Sequence, residues 1–175
     1  MTTDSLLHKR TQAATASLAS IRDTDLVLRD FTDRDQLSVQ KLILDGLRER
    51  WGDDYDDSFN EDVRDMTRNY LAHGADVVVV EFGQDIIATG TLLNQGDGRG
   101  RIVRMSVAGS HRRQGLARLV VAELVARAHG RGFHAVDVLT DVPWASAVAL
   151  YLSCGFSEIG RDETDVHFTM DLSTK

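Results

Sequence analysis

The sequence predicts a mixed α/β fold: a mostly antiparallel sheet with helices on both faces and one locally parallel pair around a long helix. Three observations lead there. Short apolar runs and helically spaced segments follow one another as strand, two helices, three strands, helix, strand, helix, two strands. Only turn-sized gaps separate the three middle strands, which makes them antiparallel neighbours, whereas the long amphipathic segment at 115–129 can carry a parallel crossover. With 175 residues, 42% apolar and 27% charged, the chain suits one domain with a single core. That domain is placed at residues 25–175, behind a Ser-, Thr- and Ala-rich extension at 1–24, read as flexible or partly helical.

The elements are read in order. Residues 26–29 form a short strand. Thr32 or Asp33 caps a helix whose apolar positions Leu37, Val39, Leu42, Ile43 and Leu47 share a face, and Trp51-Gly52 ends it. An acidic loop at 53–57 leads to one predicted helix over 60–73, stopped by Gly74. Residues 77–81 read as a strand, its run Val77 to Val80 continuously apolar before Glu81, as in a strand covered on both faces. Turn residues at 83–85 and 94–98 delimit strands at 86–93 and 101–107. In the latter, alternation predicts that Val103, Met105 and Val107 face one side and Ile102, Arg104 and Ser106 the other. In the helix at 115–129, Leu116, Val120, Leu124 and Ala128 recur every fourth residue, and Gly130 and Gly132 end it. A strand at 135–139, a helix from Pro143 to Tyr151 stopped by Gly155, and a strand pair at 156–159 and 166–172 complete the chain.

Composition narrows the function classes. A net charge of −7 argues against a general nucleic-acid binder, which needs a basic face. No apolar run reaches the roughly 20 residues of a membrane span. The single cysteine, Cys154, permits no intrachain disulfide, and no signal-peptide pattern is present; together these predict a cytoplasmic location. No spacing of Cys, His and carboxylates suggests a metal site.

The chemically informative stretch runs from Arg104 to Ala117. A strand ends, a short loop turns, and a helix opens with its first amides unpaired, an arrangement suited to binding phosphate. Gly115 allows close approach of the backbone, Ala117 is small one turn later, and Arg112 and Arg113 can donate charge-assisted hydrogen bonds. The fragment alone reads equally as a plain strand–loop–helix junction. It matches neither Gly-x-x-x-x-Gly-Lys-Ser/Thr nor Gly-x-Gly-x-x-Gly.

Arg112-Arg113-Gln114-Gly115-Leu116-Ala117 resembles the pattern Gln/Arg-x-x-Gly-x-Gly/Ala of GNAT superfamily N-acetyltransferases, and Ala147 to Phe156 is similar to the family's Ala-x-x-Leu-Tyr-x-x-x-Gly-Phe. The resemblance covers about 26–172 and is specific from 101 to 156. It implies that residues 112–117 hold the diphosphate of acetyl-CoA, and that Met105, Ser106 and Val107 pair with its pantetheine arm. It further implies direct attack of a neutral amine on the thioester, a Val107 N–H facing the oxyanion, and Tyr151 protonating the departing thiolate; as plain structure, Tyr151 is a core aromatic. One departure is clear: seven positions before Tyr151, where the family often has Asn, stands Trp144; either Ser146 substitutes by hydrogen bonding or that contact is absent. Glu81 and Asp141, each near a strand end, are the candidate bases, with a water chain as the other route. The expected partners are acetyl-CoA and an amine acceptor, with a cationic acceptor and a homodimer as further expectations. The acidic loop reads either as a wall attracting such an acceptor or as solvated surface. A non-catalytic CoA-binding module of the same fold is the alternative function.

Overall fold

The computed structural model describes residues 25–173; the extension expected at 1–24 lies outside the described residues. The elements are β1 (Leu26–Asp30), α1 (Gln36–Trp51), β2 (Asp76–Phe82), β3 (Asp85–Gly96), β4 (Arg99–Val107), α2 (Leu116–Gly130), β5 (Ala135–Asp141), α3 (Ala145–Cys154), β6 (Ser157–Arg161) and β7 (Asp165–Asp171). They build one seven-stranded sheet in the order β1-β2-β3-β4-β5-β7-β6. Among the described residues its only parallel neighbours are β4 and β5, joined through α2, as the long helix between them predicts.

The sheet is covered on both faces, which explains the unbroken apolar run in β2. Val78 and Val80 pack with Val120, Leu124 and Phe168 on the α2 side. Val77 and Val79 pack with Val39, Ile43, Val63 and Met66 on the α1 side. Each face removes its stripe of side chains from water, at about 25 cal/mol per Å2 of apolar surface. At the start of α1, the Thr32 N–H donates to the Asp35 carboxylate (2.8 Å), and Arg29 donates two further bonds at 2.7 and 2.9 Å. Burial works to raise the pKa of Asp35, but the Arg29 and Thr32 donors prevail and hold it down to about 2. Among the described residues no helix is long and apolar enough to cross a membrane.

Two expectations need correction. The single helix over 60–73 is instead a 3-10 segment at Asp57–Arg64, one α-turn at Met66–Asn69 and a 3-10 turn at Leu71–His73. The amide of Gln36 interrupts it, donating to the Val63 carbonyl (2.9 Å) and accepting from the Met66 N–H (2.8 Å). Asp65 then caps a new turn through the Arg68 N–H. The side-chain alternation in β4 also breaks. Arg104 sits at φ 54, and the register with β3 slips between Thr89 and Thr91, so β4 carries one extra residue opposite Gly90. Val103 and Arg104 therefore both face α1, while Ile102, Met105 and Val107 face α2.

Gly90 is where α2 lies closest to the sheet. A Cβ there would sit 2.5 Å from Met105 Sδ and 2.6 Å from Val120 Cγ1. Gly90→Ala is expected to destabilise the fold by roughly 1–3 kcal/mol through overpacking. A denaturant midpoint equal to wild type would show that the helix can move outward freely.

Candidate functional site

The sheet opens beside β4. Its pairing with β5 runs from Arg99–Ala135 to Ile102–Val138 and stops there. The extra residue at Arg104 bends β4 away, while the last residues of β5 stay paired with β7. A cavity of about 1110 Å3 fills the opening, large enough for an elongated ligand and a second molecule. Backbone alternation aims the edge groups of β4 into it. The Ala108 N–H bonds to the Ile87 carbonyl on β3, so Val107 and, two residues back, Met105 present N–H and C=O to the unpaired side.

At the mouth, the chain passes from β4 through a 3-10 turn at Gly109–His111 to α2. Arg113 and Gly115 both take left-handed backbone, at φ 60 and 86. These reversals turn successive amides the same way. Among the described residues no acceptor takes the N–H groups of residues 113–118; the first satisfied amide of the helix is Leu119, bonded to the Gly115 carbonyl at 3.0 Å. The result is a concave set of free donors at the positive end of a 15-residue helix.

The structure brings most of the predicted residues to this cavity. Arg112, Arg113, Gly115, Leu116 and Ala117 line it around the start of α2, with Arg118, which sequence reading did not single out. Leu116 offers only backbone, since its side chain is buried in the core. Gln114 does not line the cavity; its amide turns back to the Ser110 carbonyl at 3.4 Å. Arg112 is not a free cation: Glu49 of α1 accepts two bonds from it, at 2.5 and 2.6 Å, and its Nε donates to the Val107 carbonyl at 3.3 Å. Ser106 reaches the wall, but its hydroxyl donates to the Leu42 carbonyl on α1.

The same cavity is lined by groups suited to proton transfer. Tyr151, on α3, is 5% exposed, packs between Phe156 and Phe168, and lines the cavity. Burial pushes its pKa above the usual phenol value, so it stays protonated throughout the neutral range. Asp141, at the end of β5, also lines the cavity. Burial raises its pKa above that of an ordinary aspartate, with the negative charge of Asp165 adding to the effect. Ser146 borders the cavity at the start of α3. Glu81 does not reach it: Arg29 and Arg34 hold its carboxylate on the outer part of the sheet, Arg29 Nε donating at 2.6 Å. The expectation that Glu81 serves as a base is therefore corrected by its place in the fold.

The wall facing α1 depends on Arg104. Its guanidinium donates to Asp62 at 2.9 and 2.6 Å, to Asn60 at 2.7 Å and to the Tyr70 hydroxyl at 3.0 Å. This tethers the 57–73 segment to the bulge. Of the acidic stretch, Asp62 is thus neutralised and Glu61 pairs with Arg64, while Asp56 lines the cavity. Among the described residues no cluster of His, Cys, Asp and Glu could hold a metal ion.

Comparison with known proteins gives a family and a fold. The family model described as "Acetyltransferase (GNAT) family" matches residues 38–156. N-acetyltransferase 8 of Rattus norvegicus is 33% identical over 111 residues, covering 60% of this chain and 50% of that protein. The Homo sapiens protein of that name is 29% identical over 117 residues, covering 63% and 52%. The chain spans about half the length of the curated relatives it matches. Among solved structures, a GNAT-family acetyltransferase of Staphylococcus aureus Mu50 superposes with a TM-score of 0.75 at 15% identity, covering 84% of this chain and 99% of that one. A PaiA N-acetyltransferase of Thermoplasma acidophilum, solved with coenzyme A, gives 0.71 at 9% identity, covering 85% and 99%. At these identities the likeness establishes the fold.

Proposed function

The chain belongs to the acetyltransferase (GNAT) family, and from that premise we propose that it transfers the acetyl group of acetyl-CoA to a primary amine of a small molecule or protein by direct attack. The observation that carries this reading is one cavity lined both by the free helix-terminal amides and by a protonated, buried tyrosine and a pKa-raised aspartate.

The chemistry divides along the cavity. The amides of residues 113–118, with Arg113 and Arg118, bind the diphosphate. The open backbone groups of Met105 and Val107 pair with the amide-rich arm of the donor as an added strand would. An acceptor amine arrives largely protonated, with an unperturbed pKa of about 10.4. Asp141, directly or through water, removes that proton, and its raised pKa makes it a stronger base than a surface aspartate. The amine nitrogen then bonds to the thioester carbon. The Val107 N–H stabilises the oxyanion, the C–S bond breaks, and Tyr151 gives its proton to the sulfur. The products are an N-acetylated amine and CoA.

The test is to incubate the protein with acetyl-CoA and a panel of monoamines, polyamines and lysine peptides, and to measure free CoA against a no-acceptor control. Acceptor-dependent release of CoA is expected. Tight acetyl-CoA binding without release for any acceptor would replace transfer by a binding role.

A further inference from the structure

Where the family often has an amide side chain, this chain has Trp144, and Arg50 from the end of α1 covers its indole. The guanidinium carbon lies 4.5 Å from the ring centroid. Trp51 meets the same indole nearly edge-on at 5.9 Å. All three residues line the cavity. Arg50 differs from its neighbours on the wall: Arg112 is neutralised by Glu49 and Arg104 by Asp62. Among the described residues, Arg50 has neither an ion pair nor a hydrogen-bond acceptor for its five N–H donors. Burial among these side chains, and repulsion by Arg112, pull its pKa below the usual arginine value. A stacked guanidinium with unused donors, on a residue that is exposed overall and lines a ligand cavity, is poised to receive an anion.

We propose that Arg50 and Trp144 form an oxyanion subsite, the indole holding the guanidinium in plane while two N–H groups take two oxygens of a ligand. Trp144 is the positioning residue and Arg50 the ligand contact. The oxyanion is either the diphosphate of the donor or a carboxylate carried by the acceptor. In this way α1 supplies the polar contact that α3 lacks. The inference rests on the acetyl-transfer reading for the identity of the donor, but not for the existence of the subsite.

Calorimetry on wild type, Arg50→Gln, Arg50→Lys, Trp144→Asn and the Arg50→Gln/Trp144→Asn double variant tests it. Two titrations are needed: CoA into the free protein, and phenylalanine against phenethylamine into the CoA-saturated protein, a pair differing only by a carboxylate. If the donor supplies the oxyanion, Arg50→Gln weakens CoA binding about tenfold or more. If the acceptor supplies it, CoA affinity holds and the preference for phenylalanine over phenethylamine disappears. In either case Arg50→Lys recovers part of the loss, and the double variant is no worse than Arg50→Gln, because the tryptophan acts through the arginine. Arg50→Gln changing neither titration, including the case where neither amine binds, overturns the subsite. Additive losses in the double variant overturn the positioning role of Trp144. Wild-type protein that fails to bind CoA refutes the acetyl-transfer reading separately. Thermal unfolding of each variant checks the fold, and Trp144→Phe replaces Trp144→Asn if the latter is unstable.

Discussion

Gly115→Glu is expected to weaken acetyl-CoA binding by at least 100-fold. Gly115 sits at φ 86 where the chain enters α2, with its amide among the free donors of residues 113–118. A glutamate there adds a Cβ in left-handed backbone, at a cost of about 1–2 kcal/mol, and places a carboxylate in the proposed diphosphate site. Two unit charges 4 Å apart repel by about 4 kcal/mol at an effective dielectric of 20, close to a thousandfold in affinity. Gly115→Ala carries only the backbone strain and should lose far less. Titration calorimetry with acetyl-CoA measures both, alongside thermal unfolding to establish that each variant folds. Wild-type affinity in Gly115→Glu would move the diphosphate to another place.

Tyr151→Phe is expected to lower kcat by on the order of 10²–10⁴-fold, the range for loss of one positioned proton donor, with the acetyl-CoA dissociation constant within about threefold of wild type. The phenylalanine ring preserves the packing against Phe156 and Phe168. What it removes is a hydroxyl that burial keeps protonated. The sign of the pH dependence follows. A phenol whose pKa is raised retains its proton above the usual value of about 10, so loss of the acid form leaves no falling limb between pH 7 and 9. Activity rises across that interval as more of the acceptor amine becomes neutral. Unchanged kcat in Tyr151→Phe would make the tyrosine a core aromatic. An activity decline between pH 8 and 9, absent from the variant, would contradict the raised pKa.

Several features were legible in the sequence because they are local. The apolar run at 77–80 predicted a strand covered on both faces, and opposite faces of the sheet do take its alternate residues. Gly115 and the small Ala117 marked the loop and helix start where the cavity has its free amides. The family resemblance, carried by residues 104–117 and 147–156, pointed to the two segments that line the cavity from α2 and α3.

Other features depend on partners far along the chain. Whether Glu81 reached a ligand depended on Arg29 and Arg34, which hold it elsewhere. The break in the 60–73 helix came from Gln36, some thirty residues earlier, whose amide replaces helical hydrogen bonds. Arg112 lines the cavity, but its charge is not free, because α1 brings Glu49 against it. Arg50 had no motif to mark it; only the packing of α1 across the sheet sets it over Trp144.

The sequence by itself determined the order of the strands and of the three long helices, the anion-suited turn before α2 and the tyrosine of α3, since periodicity, glycine and helix-start chemistry act over a few residues. Tertiary structure alone decided which charges stay available. A side chain's charge is free or spent according to what lies within a few ångströms in space, and the bulge at Arg104 and the path of α1 set those neighbours.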